Sequence, residues 1–112
     1  MLTENDIIKY LTNHLKSNGY VIIQSLTTNE KGVDIIAERN KTKLYIEAKG
    51  ETSSKSHTNR YGKPFTKNQV KSHVSRAILT SMEVISAIKN GEKTEVALAL
   101  PDTESHRELI NR

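Results

Sequence analysis

Three charged residues, Asp34, Glu47 and Lys49, have the types and spacing to do chemistry together. Glu47 and Lys49 stand two apart in the strand-like run Lys43–Lys49. On a strand they point the same way, while Ala48 points to the opposite face and is free to pack. Asp34 lies in the preceding run, Gly32–Glu38, and a short hairpin between the two runs would set the two carboxylates side by side. Neighbouring carboxylates repel unless a cation sits between them. Mg²⁺, or Mn²⁺, suits the position, because it takes hard oxygen ligands and commonly uses one or two carboxylates plus water and phosphate oxygens. An ammonium beside such an ion can orient the attacking water or stabilise the charge that develops on phosphorus. The chemistry this set would perform is phosphodiester hydrolysis.

The elements that must position these residues can be read from periodicity. Thr3 with Asp6 three residues on is a weak capping box. Ile7, Ile8, Leu11 and Leu15 then keep helical spacing, and Gly19 ends the segment, giving a helix over 4–18. Runs 20–26, 32–38 and 43–49 read as three strands, with a polar turn at 27–31 and a hairpin loop at 39–42. Residues 51–67 hold Ser, Thr, Asn, Gly, Pro and Lys without an apolar period and read as a long, mobile loop, of a length that is usually functional or disordered. Val70, Val74, Ala77, Ile78, Met82, Ile85 and Ile88 mark a long amphipathic helix over 67–89. Residues 94–100 form a fourth strand closed by Pro101, and a last helix opens at Glu104. The expected domain is a single α/β unit over 1–112 with a mixed sheet that starts antiparallel. Its final helix is still open at Arg112, so either a trimmed chain or a domain that continues is expected.

Gly32-Val33-Asp34 followed by Ile46-Glu47-Ala48-Lys49-Gly50 resembles the motif of the PD-(D/E)XK nucleases, the restriction-endonuclease-like superfamily. The resemblance spans about 4–100, and the order helix, three strands, helix, strand is similar to that family's αβββαβ core. Val33 stands where the motif name has Pro. The resemblance implies a divalent-metal-dependent DNA endonuclease in which Asp34, Glu47 and the Ala48 carbonyl hold Mg²⁺ or Mn²⁺ and Lys49 assists the nucleophile. It also implies roles for Gln69, on the helix after the E-x-K strand, and for His73 four residues later, where the family usually has Tyr. Glu4 is the candidate for an acidic residue that the first helix turns toward the metal.

Each assignment has a plainer counterpart. Glu47 and Lys49 could be an exposed cross-strand pair, Gln69 only a helix cap, and Glu4 a complement to the helix dipole. His14, His57 and His106 are too scattered to suggest zinc, and the absence of Cys excludes thiolate sites and disulfides. There is no nucleophile elbow and no phosphate-binding glycine loop. The net charge of +4 is unevenly spread. From Lys49 to Arg76 there are seven Lys/Arg against one acid, while the rest carries ten basic and twelve acidic residues. Lys55, Arg60, Lys63 and Lys67 therefore become candidates to neutralise phosphates flanking the scissile one, with Tyr61 or Phe65 to stack on a base. No apolar run reaches the roughly 18 residues of a membrane span, and no signal peptide is visible, so a cytoplasmic protein is expected. A homodimer is expected if both strands of a duplex are cut. The alternatives are a catalytically inactive DNA-binding or scaffolding module on the same fold, and an unrelated α/β protein whose strand charges are only surface.

Overall fold

The computed structural model describes residues 1–26, 32–52, 63–89 and 91–110. In chain order the elements are α1 (Glu4–Ser17), β1 (Val21–Ser25), β2 (Ile35–Arg39), β3 (Thr42–Ala48), α2 (Lys67–Ser86), β4 (Thr94–Ala99) and α3 (Glu104–Ile110). The turn expected at 27–31 lies outside the described residues. One four-stranded sheet has the spatial order β1-β2-β3-β4. β1, β2 and β3 run antiparallel as a meander, and β4 returns parallel to β3 through α2.

Local chemistry accounts for the boundaries. Thr3 caps α1, with its side chain accepting from Asp6 N–H (3.1 Å) while the Asp6 carboxylate accepts from Thr3 N–H (2.9 Å). Gly19, at φ +86°, turns the chain out of the helix. β2 and β3 are joined by Asn40 and Lys41, both at positive φ, as the twist of a two-residue hairpin requires. Two expected bounds shift by three residues, α2 closing at Ser86 rather than 89 and β2 beginning at Ile35 rather than 32, one residue after Asp34; the other strand and helix bounds move by one residue at most.

The sheet buries both faces. On one, Ile7, Ile8 and Leu15 of α1 pack on Ile35, Ala37, Ile46 and Ala48, with Leu44, Ala97 and Ala99 beside them. This alternation leaves Ile36, Tyr45 and Glu47 on the other face. There α2 lies over β3 and β4 and buries Val70, Val74, Ala77 and Ser81. Among the described residues, no helix is long and apolar enough to cross a membrane.

Candidate functional site

At its C-terminal end β3 parts from β2. The ladder between them runs from Arg39↔Thr42 to Ile35↔Ile46 and stops. One step further, Ala48 N–H donates to the Asp34 carboxylate (2.7 Å) in place of a backbone carbonyl. The main chain of Asp34 still serves β1, since its carbonyl accepts from Leu26 N–H (2.9 Å). Beyond this point β3 continues with β4 alone, with Lys49 N–H donating to the Ala99 carbonyl (3.0 Å). A residue's N–H and C=O point to the same side of an extended strand. The Ala48 carbonyl therefore faces the gap that Asp34 enters.

The expected trio converges at this gap. Asp34 is 9% exposed and Glu47 8%, so both carboxylates are buried, and Lys49 is half-buried beside them. Glu47 Oε1 is buried with no hydrogen-bond partner among the described residues. Burial first, and then the Asp34 charge, push the Glu47 carboxyl up to about 7; Lys49 opposes the shift. Burying a charge without a partner is costly. The gap thus holds an acceptor that its neighbours leave unsatisfied.

Glu4 joins the same group, and the reason lies in the chain after Lys49. Gly50 is buried against the start of α1, where an added Cβ would fall 2.6 Å from the Thr3 carbonyl carbon and closer still to the Glu4 nitrogen. Glu51 N–H donates to the Leu2 carbonyl (2.8 Å), and Thr3 bridges Thr52 in parallel. These contacts draw the first turn of α1 against the end of β3. The Glu4 carboxyl is likewise raised to about 7 by burial and by Asp34, with Lys49 again opposing. The role of Gly50, letting two backbones touch, has no local sequence signal.

On α2, His73 is half-buried and meets Phe65 edge-on at 4.5 Å between ring centres. Burial lowers its pKa, as do the nearby Lys49 and Arg76 charges. His73 is thus placed beside the site, and Phe65 is its packing partner. Gln69 serves a capping box: its Oε1 accepts from Thr66 N–H (2.8 Å), while Thr66 Oγ1 accepts from Gln69 N–H (3.2 Å). That leaves the Gln69 Nε2 amide as the group able to meet a ligand. Lys67 turns to α3 and pairs with Glu108 (3.3 Å). Lys63 is exposed, and its carbonyl accepts from Thr52 Oγ1 (2.5 Å). Lys55, Arg60 and Tyr61 lie outside the described residues. His106, not singled out from the sequence, is buried on α3 with Nδ1 2.6 Å from Thr103 Oγ1, and burial lowers its pKa.

The donor set fits a hard cation held by few protein ligands. Among the described residues no three His, Asp or Glu side chains are grouped as a metal cage. Mg²⁺, however, usually keeps several waters and takes only one or two carboxylates. Asp34, Glu47 and the Ala48 carbonyl offer that many oxygens, with one carboxylate oxygen still unpartnered. Scanned against protein-family models the chain matches none, and a search of curated proteins gave no match.

Proposed function

We propose that this chain is a divalent-metal-dependent DNA endonuclease with a restriction-endonuclease-like core. The observation that carries the reading is the buried, unpartnered Glu47 Oε1 beside Asp34 in the gap between β2 and β3. Two carboxylates that repel each other in a buried place make physical sense where a cation is to be bound. The order αβββαβ and the position of Lys49 two residues after Glu47 support the same reading. Asp34, Glu47 and the Ala48 carbonyl would hold Mg²⁺ or Mn²⁺, with Glu4 able to take part through an intervening water. When bound, the ion supplies charge stabilisation at a phosphoryl oxygen and a more acidic water. Lys49 places a cation at the mouth of the gap, where it orients the nucleophile and steadies negative charge. Gln69 Nε2, the amide group that the α2 cap does not use, would orient water or metal-bound groups. The basic stretch that enters and leaves beside Lys49 contributes attraction for a nucleic-acid backbone.

Labelled plasmid and oligonucleotide DNA, incubated with Mg²⁺, Mn²⁺ or EDTA, test the proposal. Cleavage by the wild type with metal, none with EDTA, and a loss of at least ~10²-fold in Lys49→Ala are expected. DNA binding without turnover would replace the endonuclease with an inactive binding module. Neither binding nor turnover would reject both readings.

A further inference from the structure

A second group of charges gathers at the end of the sheet away from the gap. α2 closes at Ser86, and beside its last turn the sheet is left with a cleft of about 600 Å³. Lys43 and Tyr45 of β3 line it, on the same face of the sheet as Glu47. Lys41 enters from the hairpin turn and Lys93 from the segment that leads into β4. Backbone pairing sets these segments together: Lys43 N–H donates to the Lys93 carbonyl (2.9 Å), and Lys43 stands beside Thr94 in the ladder.

The cleft has two characters. Tyr45 and Ala87 also line a smaller adjoining recess with Val84 and Ile88, so one wall is aromatic and aliphatic. The other carries three exposed ammonium groups against Glu92, the one acid lining the cleft among the described residues. Among the described residues the ion pairs are Lys67 with Glu108 and Arg107 with Asp102, so Lys41, Lys43 and Lys93 are in none. Glu38, across the ladder from Lys43, is in none either. The plainer account is that lysines near the C-terminus of α2 complement its dipole, since its last turn holds no basic residue. That account explains one ammonium. It does not explain three, drawn from three segments, around a tyrosine.

We propose that this cleft binds a free nucleoside di- or triphosphate, with the base against Tyr45 and the phosphates on Lys41, Lys43 and Lys93. A simple anion would have no use for the apolar wall, and an apolar ligand would have none for the lysines. The volume falls within the ~300–1,000 Å³ of small-ligand sites, which is room for one nucleotide and not for a strand. Stacking on an aromatic ring tolerates any base, so the cleft selects the class of ligand and not the base. The inference does not rest on the nuclease reading: Lys43 and Glu47 are four residues apart, roughly 13 Å along β3.

Isothermal titration calorimetry of the full chain with ADP, ATP, adenosine, pyrophosphate and a 5′-phosphorylated oligonucleotide is the test. EDTA is present throughout, so that no divalent ion bridges phosphate to Asp34 and Glu47. The variants are the double charge reversal Lys41→Glu/Lys93→Glu, at two exposed positions, and Tyr45→Leu, with circular dichroism to check the fold of both. ADP or ATP should bind at least tenfold more tightly than adenosine or pyrophosphate, the low side of what stacking one base supplies. The double variant should weaken ADP at least tenfold, and Tyr45→Leu should bring ADP down to the level of pyrophosphate. Absence of ADP and ATP binding up to ~1 mM, or binding that the folded double variant leaves intact, overturns the site. Pyrophosphate binding as tightly as ADP would overturn the base contact, and tighter binding of the oligonucleotide would overturn the free nucleotide as occupant.

Discussion

The β2–β3 hairpin carries charges at both ends, and the two ends treat them in opposite ways. Near the turn, Glu38 lies directly across from Lys43 in a complete ladder, an opposite-charge pair at the surface. At the far end Asp34 and Glu47, of like charge, are both buried where the ladder has stopped. The same two strands thus hold one pair of opposite charge facing across the ladder and one pair of like charge that resists burial. Stability explains the first. The second needs another reason, and a cation between the carboxylates supplies one.

The largest effects should come from breaking the buried end. Asp34→Asn and Asp34→Ala should each lose at least ~10²-fold in metal-dependent cleavage, because each removes a ligand charge. They should differ in stability. Asn keeps an acceptor for Ala48 N–H and Ala leaves it bare, so Asn should melt higher by the ~1–3 kcal/mol cost of a buried unsatisfied donor. Equal melting points would mean that the Asp34 contact does not hold the gap in shape.

Glu47→Gln should give the contrasting pair of effects: cleavage lost, metal-free stability gained. Removing a buried charge that Asp34 repels should raise Tm at pH 8, by ~4–8 °C for each kcal/mol of repulsion relieved. A lowered Tm would show that the charge was already compensated.

The pH dependence follows from the same carboxyls. Glu4 and Glu47 have folded-state pKa values near 7 against an ordinary 4.5, so between these values the folded chain holds more protons than the unfolded one. Their contribution to stability is full below about 4.5 and is lost as pH rises through about 7. His73 and His106, with lowered pKa values, act in the opposite sense below their ordinary 6.5. Metal-free Tm should therefore fall between pH 6.5 and 8, where the two carboxyls lose most of their folded-state protons and the unfolded histidines, already half neutral at 6.5, oppose them only in part, and Mg²⁺ should restore more stability at pH 8 than at 6.5. A flat metal-free profile, followed by differential scanning calorimetry, would remove the repulsion from the account.

The smallest effect belongs to the turn end. Lys43→Glu sets like charges opposite each other across β2 and β3 and should cost about 0.2–1 kcal/mol, a few degrees in Tm, with cleavage by metal-loaded protein unchanged. A large loss of cleavage would mean the two ends are not independent.

Much of this contrast could be read from residue order. Thr3 and Asp6 announced α1, the apolar spacing from Val70 to Ile85 announced most of α2, and the two-residue offset of Glu47 and Lys49 placed them on one face. Burial of Glu47 could not be read that way, because an alternating strand is silent about which face a later helix covers. Asp34 was expected inside β2 and stands one residue before it, since its side chain replaces a ladder acceptor and period-two patterning cannot distinguish the two. Glu4 reached the site through Gly50 and the Thr3–Thr52 bridge, contacts between segments almost fifty residues apart. Thr66 and Gln69 spell a capping box as plainly as Thr3 and Asp6, and the cap that forms is the plainer of the two readings of Gln69.

The central claim is that the gap between β2 and β3 is a cation site. Mn²⁺ added in small steps to isotopically labelled protein, followed by paramagnetic broadening of backbone amide signals, tests it most directly. The account predicts that Asp34, Glu47, Ala48 and Lys49 broaden first, that excess Mg²⁺ restores them, and that Glu47→Gln weakens the effect by at least tenfold. Broadening that begins elsewhere, or spares these residues while others fade, would contradict it.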